Sequence, residues 1–342
     1  VLVYKEIINM NDNILFLSHE QVSHAYDTFF NGCMALFGPE NVFDCPSLPK
    51  HHSDYKHSHT YAWWCYNDTG HVLSLPIEEW AKQINMRKVK YIVGSNRAIP
   101  NFIQLISLIN EDVFKDICVI FLEEEEDPGF NIHRWCLEAL SSVYNRIDIH
   151  YKADYVTGRV GAYEKILPFY LSAPQSKIMG EIGSVKPFSE REIDICYIVG
   201  ASHANRKKYY DIIKNANGNN IVEYGTHKYN ITEYFNAVNN SKIFISVRGN
   251  GWGNTRNAEG PICGAALFSE SLEITVPFDY KDGVSAVFFD ETNILSKLNE
   301  YVANPKKLAK LAKASYSHCI DNHTSLARAK QMTQQAKKIK GW

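Results

Sequence analysis

The sequence predicts two doubly wound α/β domains, and three observations carry that prediction. The chain has 342 residues, 45% of them hydrophobic, enough for two cores of ordinary size. Short, continuously apolar runs alternate with segments of helical periodicity almost throughout, as expected for strands buried on both faces of parallel sheets. One stretch, "MGEIGSVKPFSERE" from Met179 to Glu192, interrupts this alternation with glycine, serine, proline and charge and reads as a linker.

Taken in order, "NILFLSH" (13–19) is a buried strand, followed by a helix from Val22 to Phe37. "VKYIVGS" (89–95) leads into a helix over 99–110, "DICVIFLEE" (116–124) is another strand, and "IDIHY" (147–151) ends the first series. After the interruption come the strand "DICYIVGA" (194–201), a helix from Asn205 to Lys214, the strand "NIVEYG" (220–225) and the helix "ITEYFNAVNNS" (231–241). "KIFISVRG" (242–249), "GAALFSE" (264–270) and "SAVFFDE" (285–291) continue the strands, and helices over 292–303 and 305–319 follow. The expected division is a first domain over 1–180, a linker over 181–192, a second domain over 193–323 and a terminal helix over 324–342 that returns to the first domain.

Composition narrows the function. With 36 basic and 38 acidic residues the formal charge is −2, so no global basic field advertises nucleic acid or anionic membrane. The 8 cysteines are scattered without a CxxC pair, which favours reduced, buried thiols and a reducing compartment. No run of about 18 apolar residues suggests a membrane span, and the N-terminus has no basic segment followed by an apolar core. The expectation is a cytoplasmic protein without a signal peptide.

The most informative stretch is "SVRGNGWGNTRNAEGPICGAALFSE" (246–270), a glycine-rich turn between two buried strands. In open α/β sheets, ligands bind beyond the carboxyl ends of strands, where Gly249, Gly251 and Gly253 fall and admit a close backbone approach. Asn254 or Thr255 can cap the next helix, whose free N–H groups favour an anion. Arg256 in the first turn suits a phosphate, and Glu259 on the same face suits the vicinal hydroxyls of a ribose. Together they describe a nucleotide-diphosphate pocket; the alternative is an ordinary strand–turn–helix joint with a surface Arg–Glu pair. Arg248 at its strand end, and Arg206 or Lys207 beyond the turn at Gly200, are further phosphate candidates. No G-x-G-x-x-G follows the first strand of either half, which argues against a dinucleotide oxidoreductase.

"NTRNAEGPICGAALFSE" resembles the N-x-R-x-x-E-x-x-x-C-G segment of bacterial glycosyltransferases of the spore-maturation and family-1-like group. "CYIVGASHANRKKYY", "VPFDYKDGVSAVFFDE" and the helices from "EYVANPKKLAKLAK" onward are similar to that group in order and spacing, from about 190 to 335. The resemblance implies the GT-B fold, two Rossmann-like domains facing a central cleft with the donor held mainly by the second. It implies transfer of a sugar from a UDP- or GDP-sugar, with no cofactor and no metal, the phosphates being neutralised by arginines and a helix N-terminus. The acceptor hydroxyl, on a glycan, lipid-linked carrier, protein or nucleic acid, is left open. Retaining relatives often carry a second glutamate eight residues before the ribose-binding one; here that position is Gly251. In this architecture His19, Glu20, His24 and Asp27 face the cleft, and Asp27 falls where the resemblance places an acid, so Asp27 is the candidate base, with Arg248 and Arg256 as catalytic partners. The rival readings are a nucleotide-sugar epimerase of the same fold and a non-catalytic nucleotide-sugar-binding protein.

Two polar segments stand apart. "HHSDYKHSHTYAWW" (51–64), with His51, His52, Asp54, His57 and His59, reads either as a metal site or as a mobile polar loop. "FLEEEEDPG" (121–129) reads either as a base or cation site at a strand end, or as a solvated charged loop.

Overall fold

The computed structural model describes residues 13–51, 75–125, 131–157, 165–225 and 229–342. The chain divides into two compact units, one of residues 1–169 with 328–342 and one of residues 170–327.

In the first unit, six parallel strands form one sheet in the order β2-β1-β3-β4-β5-β6. They are β1 (Ile14–Leu17), β2 (Val42–Cys45), β3 (Tyr91–Ser95), β4 (Cys118–Glu123), β5 (Ile149–Lys152) and β6 (Ile166–Pro168). Its helices are α1 (His24–Phe37), α2 (Ile77–Asn85), α3 (Ile99–Leu108) and α4 (Asn131–Ala139). Strands β1, β3 and β4 are buried along their whole length, as their unbroken apolar runs require. Leu15, Ile92, Phe102, Phe121 and Leu140 share one core. Gly94 in β3 sets how closely α3 packs, since a Cβ there would lie 2.1 Å from the Phe102 ring. The short strand β6 at the sheet's edge is not signalled in the sequence. It is three residues ending in Pro168, and proline is tolerated in a sheet chiefly at such an edge.

The second unit holds five parallel strands in the order β11-β10-β9-β7-β8. These are β7 (Ile193–Val199), β8 (Asn220–Tyr224), β9 (Ser241–Ser246), β10 (Ala266–Glu270) and β11 (Val287–Phe289). Around them run α5 (Gln175–Ile182), α6 (Ala204–Ile213), α7 (Ile231–Asn239), α8 (Arg256–Ile262), α9 (Ile294–Val302) and α10 (Pro305–Asn322); the last helix, α11 (Ser325–Lys340), carries the chain back to the first unit. Tyr197, Ile243, Phe268, Leu298 and Leu311 belong to its core. Helix α7 starts on a capping box, Asn230 with Glu233, which satisfies two otherwise orphaned N–H groups.

The expected linker over 181–192 lies instead inside the second unit. Its first residues end α5, and Arg191, 4% exposed, donates to the carbonyls of Lys186, Ser241 and Cys263. One buried guanidinium thus pins a segment whose composition alone reads as flexible. No helix among the described residues is long and apolar enough to cross a membrane.

Candidate functional site

Both sheets reverse their strand order once, between β1 and β3 in the first unit and between β7 and β9 in the second. The loops leaving those strand pairs diverge to opposite faces, opening the crevice where open α/β sheets bind ligands. In the second unit the crevice is bordered by Gly200, just after β7, and by Arg248, just after β9. A side chain at Gly200 would meet nothing within 4 Å.

Two arginines border this edge. Arg206, in the first turn of α6, donates from Nε to the Arg248 carbonyl at 3.1 Å, and a Cβ on Gly249 would stand 3.2 Å from its Nη2. A side chain at 249 would press on the Arg206 guanidinium, which would have to shift slightly to make room. Arg248 lies over the Trp252 ring, 4.0 Å from its centroid, and its backbone N–H donates to Glu270 Oε2 at 3.0 Å. With its amide oxygen turned toward Arg248, Asn205 accepts from Nη2 and Nε at 3.2 and 3.1 Å. Gly251 and Gly253 are buried within the turn, while Asn250 at its tip is exposed. Lys207 is not brought here: it is exposed, paired with Asp211 at 2.6 Å along the helix, and lies over the Tyr210 ring.

The residues on α8 face inward. Arg256 donates from Nη1 to the Ile198 carbonyl (2.8 Å) and the Tyr234 hydroxyl (3.2 Å), and from Nη2 to the Ile245 carbonyl (3.2 Å). Its guanidinium ties together the ends of β7 and β9, one strand on each side of the reversal. Glu259, 5% exposed, accepts from Tyr234 on Oε2 and Thr255 on Oε1, each at 2.8 Å. Burial holds the Tyr234 hydroxyl well above its ordinary pKa, so it stays a donor. Asn254 donates to the Val247 carbonyl at 2.9 Å, and its own oxygen accepts the Arg256 N–H at 3.0 Å. The Arg256 and Glu259 expected at a ligand are thus engaged with the protein itself, and Asn254 and Thr255 brace the turn.

In the first unit, Asp27 is fully buried in α1. Its Oδ1 accepts from Lys50 Nζ (2.8 Å) and His51 Nε2 (3.0 Å), and its Oδ2 from the Ser23 N–H (2.8 Å). His51 continues to Asp44 Oδ2 at 3.0 Å and stacks on Phe30. Burial opposes ionisation of Asp27, but the His51 hydrogen bond and the Lys50 charge outweigh it and hold the carboxyl far below the usual carboxylate range. A carboxylate so stabilised is a poor proton acceptor, which argues against Asp27 as the base. His51, expected in a polar loop or metal site, is instead part of this buried network; His52, Asp54, His57 and His59 lie outside the described residues.

A different pair borders the reversal point of the first sheet. His19, two residues past β1, places Nε2 2.9 Å from Oε1 of Glu124, just past β4, and packs beside Tyr26. Glu124 is buried, and although burial opposes ionisation, His19 and Arg97 hold it below the ordinary carboxylate value. Both His19 ring nitrogens and both Glu124 carboxylate oxygens are buried without a well-formed hydrogen bond among the described residues. Glu20 is exposed, and burial pushes His24 down to about 4, leaving it neutral near pH 7. Next to this pair, Glu123 Oε2 lies 2.7 Å from His133 Nδ1 and 3.4 Å from His150 Nε2. Two imidazoles and a carboxylate are a plausible cation set, but the Lys152 ammonium already lies 2.6 Å from Glu123 Oε1 and supplies positive charge there.

Residues 191–334 match the family model described as glycosyl transferase-like. That segment is similar to glycosyltransferases. The fold of the whole chain is similar to a glycosyltransferase from Rickettsia africae (10% identity, 96% of this chain and 98% of that one, TM-score 0.59). It is also similar to HepE of Anabaena, solved with UDP and glucose (8% identity, 96% and 100%, TM-score 0.57). Sucrose-phosphate synthase of Thermosynechococcus elongatus shares the fold too (10% identity, 96% and 99%, TM-score 0.52). At these identities the likeness is one of fold, the GT-B architecture. No curated protein sequence matches the chain significantly.

Sequence reasoning missed Tyr234, Glu270 and Lys50, which act through partners distant in the chain. Glu124 did carry a signal, since it stands in the acidic run at the end of an apolar strand. Its pairing with His19, on the neighbouring loop, is visible only in three dimensions.

Proposed function

We propose that the protein is a glycosyltransferase that moves a sugar from a UDP- or GDP-sugar to an acceptor hydroxyl without a metal ion, the second unit holding the diphosphate and the first supplying the base. The observation that carries the reading is the convergence of Arg206 and Arg248 on the glycine turn at the strand reversal, inside the matched domain. Two guanidiniums held in place by backbone and aromatic contacts can neutralise a departing diphosphate with little reorganisation. Arg256 and Glu259 act in this reading as the brace that fixes the crevice. His19, beside Glu124 at 2.9 Å and with neither ring nitrogen in a well-formed hydrogen bond, takes the acceptor proton. A base on the acceptor, and a glycine at 251 where retaining relatives often carry a carboxylate, favour inversion of configuration.

HepE was solved with UDP-glucose as well as with UDP, which makes UDP the first probe. At a hundred times its Kd, UDP is expected to stabilise the protein by about 2.7 kcal/mol, seen as a raised Tm that persists in EDTA. Arg248→Ala should weaken UDP binding by about 1.5–3 kcal/mol, the scale of a hydrogen bond to a charged group, without lowering the Tm of the free protein. No shift with either UDP or GDP at millimolar concentration would refute the donor site. Loss of binding and activity in EDTA, restored by manganese, would overturn the metal-free assignment.

A further inference from the structure

The loop between β10 and β11 leaves the same edge of the second sheet as the glycine turn, and it holds one residue in an unusual state. Phe278 has φ +57°, in the left-handed region that residues other than glycine, asparagine and aspartate seldom adopt. Its side chain gains no burial in exchange, being 58% exposed. The backbone is nevertheless firmly held. The Phe278 carbonyl accepts two hydrogen bonds, from His318 Nε2 at 2.8 Å and from His323 Nε2 at 2.9 Å. A carbonyl can only accept, so both imidazoles must carry their proton on Nε2. The Tyr280 ring stacks on His323 at 4.6 Å, and the Tyr280 hydroxyl donates to the Asn257 carbonyl at 2.8 Å, which ties the loop to α8 beside Arg256. Two imidazoles, a tyrosine and a helix thus hold an unfavourable backbone angle whose visible product is an aromatic ring presented to solvent. Strain maintained by so many contacts is characteristic of ligand-holding sites.

We infer that Phe278 is a stacking subsite for a ring of the nucleotide sugar, either the base or the apolar face of the transferred hexose; this rests on the donor reading above. A phenyl ring carried on a firmly held backbone offers a sequence-tolerant stacking surface. The diphosphate would lie at Arg206 and Arg248, and a ring attached to it would reach Phe278 from the same edge.

The test is Phe278→Gly, with Phe278→Trp beside it, titrated calorimetrically with UDP, UDP-glucose and inorganic pyrophosphate. Glycine removes the ring and relieves the backbone angle, so the expected result pairs a Tm at least as high as that of the wild type with weaker ligand binding. Affinity should fall about 5- to 100-fold for the ligand whose ring is stacked, and pyrophosphate binding should not change. Loss for UDP and UDP-glucose alike assigns the ring to the base; loss for UDP-glucose alone assigns it to the sugar. Phe278→Trp should retain wild-type affinity. If the wild type binds UDP and UDP-glucose and Phe278→Gly binds both equally well, the subsite is overturned while the donor reading stands. A lowered Tm together with equal weakening toward pyrophosphate would make Phe278 merely structural and overturn it as well. Failure of the wild type to bind any of the three ligands would remove the donor reading, and this inference with it.

Discussion

His19→Ala is expected to lower turnover by about 10²–10⁴-fold, the range for loss of a positioned general base, while UDP affinity stays unchanged. The separation follows from placement: His19 belongs to the first unit, and Arg206 and Arg248 to the second. Glu124→Gln should lose part of the same activity, because Glu124 Oε1, 2.9 Å from His19 Nε2, orients the ring and stabilises the imidazolium formed after proton transfer. Steady-state kinetics with a UDP-sugar and its acceptor would show this as a fall in kcat with little change in donor KM. Full activity in His19→Ala would remove the residue from the mechanism. Loss of turnover in Asp27→Asn, with stability unchanged, would return the role to Asp27.

Much of the fold could be read in the sequence because the strands that matter are buried on both faces. "ILFL" in β1 and "CVIFLE" in β4 leave no polar alternation to confuse with a hairpin. Where reading failed, the deciding interaction lay far along the chain. Arg191 reaches the carbonyl of Cys263, 72 residues away, and so turns an apparent linker into part of a packed unit. The candidate site divides in the same way. The glycine turn was placed correctly at the end of β9, since local spacing encodes a strand end followed by a helix start. The orientation of the charged groups on it was not encoded locally. Arg256 turns to the carbonyls of Ile198 and Ile245 and to Tyr234, while Arg206 turns to the Arg248 carbonyl. Asp27 and Glu124 are both acids near strand ends, and only their neighbours distinguish a clamped structural carboxylate from one that orients a histidine.

Asp27→Asn is expected to cost about 3–5 kcal/mol of stability at neutral pH, the usual penalty for removing one partner of a buried ion pair. Lys50 is 3% exposed and His51 fully buried, so the substitution leaves an ammonium without its counter-charge in the interior, not at a surface where water would replace it. The effect should depend on pH in a defined direction. In the unfolded chain an aspartate titrates near 3.9; in the fold, burial opposes ionisation, but His51 and Lys50 hold the carboxyl well below that. A depressed carboxyl contributes its stability fully above the unfolded value and loses it as pH falls toward the folded one. The gap between wild type and Asp27→Asn should therefore be constant from pH 7 down to about 5 and narrow below about 4. Glu123 and Glu124 are also held low, so the wild type and the variant should both weaken in acid, and the difference between them isolates Asp27. Urea midpoints measured for the two proteins from pH 7 to pH 3 would show it. A gap under about 1 kcal/mol at pH 7, the size of a surface pair, or one that does not narrow in acid, would mean that Asp27 is not the electrostatic centre of this network.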